Sequence, residues 1–142
     1  MKKETLVFDV GSLKNWIGGV YYIKNIIFCL LQSESLRSKY KIFVFVGNEY
    51  RDIFEVFDSR IDMYIYQTSI IPKRHKEFKN KIKDIECKYI YNYQISSYGI
   101  RKIKKGIFWI ADFQHKHFPE YFTKKELFVR NIKYKILSQL NI

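Results

Sequence analysis

A chain of 142 residues is long enough for one domain with a real core, and a hydrophobic fraction of 47% with 18% aromatics excludes a disordered tail. Two prolines and six glycines exclude a linker-rich or fibrous protein, and two cysteines without metal-ligand spacing exclude a disulfide framework and fit a reducing cytosol. The net charge of +12 leaves open an anionic partner, such as nucleic acid, an anionic membrane surface or a phosphorylated substrate.

Residues 5–10 (TLVFDV), closed by Gly11, suit a buried strand. The segment 19–32 reads as a helix, with Val20, Ile23, Ile27, Leu30 and Leu31 at helical spacing. A second strand is predicted at 41–46 (KIFVFV), a short helix near 49–57 and a third strand at 61–66 (IDMYIY). Past Pro72 the chain turns polar and basic, with a helix over 73–83 and a short fourth strand at 88–93. Between Lys73 and Lys105 stand eleven Lys or Arg against three acids, a local +8 that reads either as an anion-facing patch or as a lysine-rich solvated surface. The joint abundance of Lys, Ile, Tyr, Phe and Asn also fits an AT-rich coding bias. A fifth strand is predicted at 106–110 (GIFWI).

The last helix has a defined start. Thr123 followed by Glu126 is a capping box, and Phe128, Ile132, Ile136 and Leu140 mark one apolar face. The first eleven residues, MKKETLVFDVG, carry too short an apolar run for a secretory signal, and nowhere are there about 18 uninterrupted apolar residues, so no transmembrane helix is expected. Strands alternating with helices imply βαβ units: an α/β fold with a Rossmann-like parallel sheet covered by helices on both faces. In such sheets ligands bind beyond the carboxyl ends of the strands, which directs attention to the loops after the first and fifth strands.

After the first strand the chain reads Asp9-Val-Gly-Ser-Leu-Lys-Asn-Trp16-Ile-Gly18-Gly19. Paired glycines at a helix start let a phosphate approach uncovered N–H groups and the positive end of the helix dipole; a tight strand-to-helix turn needs glycine as well. After the fifth strand, Asp112, Gln114, His115 and His117 crowd into one segment before Pro119. On an extended chain His115 and His117 share a face, and with no third ligand nearby an ordinary polar loop competes with a site.

The run WIGGVYYIKNI resembles the W-x-GG-x-x-Y-x-x-N segment that opens the first helix in a branch of family 4 (group 1) glycosyltransferases. The run FWIADFQHKHFPEYF resembles that branch's W-I-P-D-F-Q-H-x-H-x-P-E-x-F segment after the fifth strand, with Ala111 where the branch has proline. The two matches stand in the right order, and the resemblance covers nearly the whole chain, being weakest from about Pro72 to Lys105. It implies the N-terminal, acceptor-side half of a two-domain GT-B enzyme. In such an enzyme a C-terminal domain, absent from these 142 residues, holds most of the nucleotide-sugar.

By the same resemblance Gly18 and Gly19 approach the donor diphosphate. Asp112 and His115 are the expected catalytic residues, and Trp16, Gln114 and His117 complete the substrate-binding set. The implied reaction retains anomeric configuration, needs no bound metal or other cofactor, and transfers a hexose to a saccharide or lipid-linked acceptor. The place is the cytoplasm, with the basic stretch peripheral to the inner membrane face, and nucleic acid is not an expected partner. The competing reading is a small basic α/β module that binds nucleic acid, for which no recognised motif is present.

Overall fold

The computed structural model describes residues 2–13, 16–91, 106–107 and 114–139. The chain divides into two compact units, Met1–Ile107 and Phe108–Ile142.

The first unit is a Rossmann-like α/β layer built on a five-stranded, all-parallel sheet. Its strands are β1 (Glu4–Asp9), β2 (Tyr40–Val46), β3 (Asp62–Ile65), β4 (Cys87–Tyr91) and β5 (Gly106–Ile107). They lie in the order β3-β2-β1-β4-β5, so the chain runs outward from β1 to one side and then restarts on the other. The topological switch point is therefore between β1 and β4, whose in-register residues run from Thr5↔Cys87 to Phe8↔Tyr91. β1 and β2 pair from Glu4↔Tyr40 to Asp9↔Phe45. The expected second and third strands are present within a residue or two; residues 92–93 and 108–110 of the expected fourth and fifth strands lie outside the described residues.

Strand alternation divides the core into two faces. Phe8 is level with Val44 and Tyr91, so these three point one way, while Asp9 and Phe45, one residue on, point the other. Helix α1 (Ile17–Gln32) covers the Phe8 face. It buries Gly19, Val20, Ile23, Ile27 and Leu31, the stripe foreseen from the sequence except that Leu30 stays half-buried. A hydrogen bond between the Tyr22 and Tyr91 hydroxyls ties α1 to that face, and the Tyr91 ring packs 5.2 Å from Phe8. Ser33 ends α1 and caps a helix that periodicity did not announce, α2 (Glu34–Lys39), its Oγ accepting from the Leu36 N–H at 3.4 Å. In place of a single helix over 49–57, a 3-10 turn at Asn48–Tyr50 leads into α3 (Arg51–Glu55), which seats Phe54 in the core.

Helix α4 (Ile71–Asp84) opens with Pro72 in its first turn, where the missing N–H costs nothing. It covers the other face, with Phe78 4.5 Å from Phe45 between ring centroids. Val7, Phe45, Phe54 and Ile90 are fully buried, each contributing roughly 1.5–3 kcal/mol relative to exposure.

In the second unit the described residues form a short helix α5 (Gln114–His117), a 3-10 turn (Pro119–Tyr121) and helix α6 (Lys124–Gln139). The capping box is present. The Glu126 carboxylate accepts from the Thr123 N–H at 2.9 Å, and the Thr123 Oγ1 accepts from the Glu126 N–H at 3.3 Å. Those hydrogen bonds from Thr123 hold the Glu126 carboxyl below its ordinary range. The apolar face marked by Phe128, Ile132 and Ile136 is open, these residues being 66%, 42% and 47% exposed, and Leu140 lies outside the described residues. The inward side of α6 is marked by Tyr134, which packs on His115. Among the described residues no helix is long and apolar enough to cross a membrane.

Candidate functional site

The carboxyl edge of the sheet is where β1 and β2 empty into their loops and α1 and α4 begin. Under α4 it holds a buried polar cluster. Asp9, at the end of β1 and 1% exposed, accepts a 2.9 Å hydrogen bond from the Tyr66 hydroxyl just past β3. Burial pushes the Tyr66 phenol far above its ordinary value and the Asp9 charge adds to this, so Tyr66 is a permanent neutral donor. Gly11 is required by this contact, because a Cβ there would run into the Tyr66 ring.

Arg74 lies over the same ring, 5.6 Å from its centroid and only 3% exposed. Its Nε donates to the Thr68 carbonyl at 2.7 Å, one terminal nitrogen donates to the Gly11 carbonyl at 3.4 Å, and the other grips both Glu49 oxygens at 2.7 and 3.0 Å. One guanidinium thus ties together the loops after β1, β2 and β3. Partial burial raises the Glu49 carboxyl, but the Arg74 hydrogen bond, Glu49's own backbone N–H and the Arg74 charge outweigh it and hold it below the ordinary value. These groups satisfy one another. Their chemical role is to fix the floor of the edge rather than to react.

The sequence-derived candidates fall on two places. Trp16 immediately precedes α1, and Gly18 and Gly19 form its first turn, next to the β1–β4 switch point. The indole lies across the pair: a Cβ on Gly19 would stand 2.6 Å from Trp16 Cε3, and one on Gly18 3.3 Å from Trp16 Nε1. Gly19 is buried beneath the ring and Gly18 is exposed, while Trp16 itself is 43% exposed. Burial, then the neighbouring Tyr22, pushes the Tyr91 phenol up to about 12.

The second place behaves differently from the expectation. Residues 114–117 are helical, so His115 and His117 do not share a face as they would on an extended segment. His115 is 2% exposed, its ring 5.1 Å from Tyr134 and 6.4 Å from Phe122, whereas His117 is exposed. Asp112 and the Gln114 side chain lie outside the described residues. Among the described residues no group of three His, Cys, Asp or Glu could hold a metal ion.

Arg74 is the residue sequence reasoning missed, counted there among the cations of the basic stretch. Arg74, Phe78 and Ile82 recur every four residues, so Arg74 is the first member of the buried stripe of α4. The exposed side carries Lys73, Lys76, Lys79 and Lys83 as a cationic line. His75, partly buried and beside Lys79, is pushed below its ordinary value.

No family model, curated protein or solved structure matches this chain. The fold and its carboxyl-edge corner define the class: a Rossmann-like α/β domain with a loop-to-helix turn at the switch point, the position where such sheets receive ligands.

Proposed function

We propose that this chain is the N-terminal, acceptor-side domain of a retaining, nucleotide-sugar-dependent glycosyltransferase that builds a bacterial surface polysaccharide or glycolipid. The observation that carries the reading is a coincidence of position. The run WIGGVYYIKNI, which resembles the glycosyltransferase segment, begins at the N-terminal turn of α1 beside the β1–β4 switch point. A diphosphate there would meet the positive end of the dipole of a 16-residue helix, once the Trp16 ring swings off the glycines.

In this reading Gly18, Gly19 and Trp16 border the donor diphosphate, while Asp112, Gln114, His115 and His117 border the sugar and acceptor. No metal is called for, since helix dipole and fixed donors stabilise the leaving diphosphate. The lysine line of α4 would face a phosphorylated acceptor or the anionic inner leaflet of the cytoplasmic membrane. A transferase must hold donor and acceptor in reactive geometry, worth roughly 7–11 kcal/mol of the barrier, and half a cleft cannot do so.

The test is calorimetry with uridine, guanosine and adenosine diphosphate sugars on this chain, and transfer of a labelled hexose by the chain joined to a donor-binding half. Binding weaker than micromolar in the first and transfer in the second are expected. Micromolar binding to the chain alone would move the donor site. The lysine line also favours a second reading, a basic α/β module for nucleic acid. Oligonucleotide binding with steep salt dependence, and no transfer by the joined protein, would establish it in place of the first.

A further inference from the structure

The water-facing side of α1 carries no charge. Around the helix, Ile17, Gly18, Tyr21, Tyr22, Asn25, Phe28, Cys29 and Gln32 are the exposed residues, and the single charged residue of its sixteen, Lys24, sits at the margin. Ile17, Tyr21, Tyr22 and Phe28 are each 46–50% exposed. A surface helix ordinarily turns charged residues to water, and a helix that is apolar on nearly every side is one with a partner on each. Absence of charge with aromatic enrichment is also the composition of an interface centre.

We propose that this face is the contact between two copies of the chain, with α1 packed antiparallel on α1 of its partner about a twofold axis near Asn25. In that arrangement Tyr21 meets the partner's Phe28, Tyr22 meets the partner's Cys29, and the two Asn25 amides pair on the axis. The face is self-complementary because its aromatics stand at both ends of the helix and its one central amide both donates and accepts.

The area suffices. Three half-exposed aromatics leave roughly 100 Å² each, and Ile17, Asn25, Cys29 and Gln32 bring the face to roughly 600 Å² per copy, or about 1,200 Å² in all, the lower bound of a stable interface. A lipid surface suits the face less well. The cationic line that would draw the protein to anionic lipid lies on α4, which packs on Phe45, whereas α1 packs on the Phe8 side of the sheet. Pairing through α1 leaves that line free on both copies.

Sedimentation equilibrium and light scattering on this chain between about 5 and 200 µM are the test, with circular dichroism to check the fold. A dimer is expected with Kd in the micromolar range. Phe28→Lys and Tyr21→Lys should each weaken it at least ~30-fold, the effect of losing a central aromatic anchor. Two independent variants guard against one that fails to fold. Asn25→Cys in a Cys29→Ser background should give a covalent dimer under mild oxidation. Phe128→Lys, on the open face of α6, should leave the dimer intact. A chain that is monomeric at 200 µM with a native spectrum overturns the proposal. So does a dimer dissolved by Phe128→Lys but not by the α1 variants, or a monomer that sediments with phosphatidylglycerol vesicles and loses that binding in Phe28→Lys.

Discussion

Among the described salt-bridged acids of the first unit, removing Glu49 should cost the most, although Glu49 is itself 44% exposed. The reason lies with its partner. The Arg74 side chain is 4% exposed and pinned over Tyr66 by the Thr68 and Gly11 carbonyls, so it cannot follow water when Glu49 is gone. Stripping one partner from a fully buried pair costs about 3–5 kcal/mol; with Glu49 half in water, and the two carbonyls still accepting, about 2 kcal/mol is expected for Glu49→Ala. For a chain of this size that is a fall in Tm of roughly 8 °C. The control is Arg51→Ala, which breaks an exposed i,i+4 pair with Glu55 and should change stability by less than about 0.5 kcal/mol. Urea unfolding followed by circular dichroism reads both, and the slope with denaturant should stay constant. The same pair sets a pH dependence. The folded Glu49 carboxyl sits below its ordinary value of 4.5, so its contribution is fully present above that value and is lost as pH falls through the depressed one. The acid limb of the stability curve should therefore be shallower in Glu49→Ala. Equal losses in Glu49→Ala and Arg51→Ala, or identical acid limbs, would refute the claim that Arg74 is a trapped charge.

Tyr66→Phe removes one hydroxyl donor from the buried Asp9 carboxylate and should cost about 1.5–3 kcal/mol in urea unfolding; a loss under 0.5 kcal/mol would show that the bond is not formed in solution. His115→Ala should cost about 2 kcal/mol by emptying a packed position beside Tyr134, and His117→Ala, at an exposed site, less than about 0.5. Comparable thermal shifts in the two would contradict the burial assignment. Thr123→Ala should lower hydrogen-exchange protection of the first-turn amides of α6 about fivefold, in keeping with loss of a capping side chain; unchanged protection would deny the box an energetic role.

Much of the first unit is legible in the sequence because its first two strands are apolar runs closed by Gly11 and Gly47 and α1 has an unbroken stripe. The runs TLVFDV and KIFVFV permit little but buried parallel strands. α2 escaped because six residues hold fewer than two helical turns, too few for a repeating stripe; its signal is the Ser33 cap. Arg74 escaped because composition counts cations without asking which way they point; position relative to Phe78 and Ile82 answers that question. The histidine pair was misjudged for the same reason in reverse. Shared facing of His115 and His117 follows from an extended backbone, and three residues of helix undo it. The outer arc of α1 was readable too, as a run of sixteen residues with one charge, but a stripe sought for the core draws attention away from what faces water.

The corner at Trp16 shows how one sequence feature can serve structure and binding together. Gly19 needs no ligand to explain it, because the indole occupies the space of its missing side chain and any larger residue would push the ring aside. Trp16 itself is 43% exposed. Its exposed edge leaves it more room than the fully buried Phe45 and Phe54 have. By contrast Asp9, Tyr66, Arg74 and Glu49, under α4 on the other face of the sheet, are cross-tied through three loops. In the proposed reading a diphosphate at the start of α1 would have to displace Trp16, while the cross-tied loops under α4 hold the sheet edge in place. Under that proposal selectivity would act on Trp16, whose displacement the ligand must drive, rather than on the glycines that make room for it.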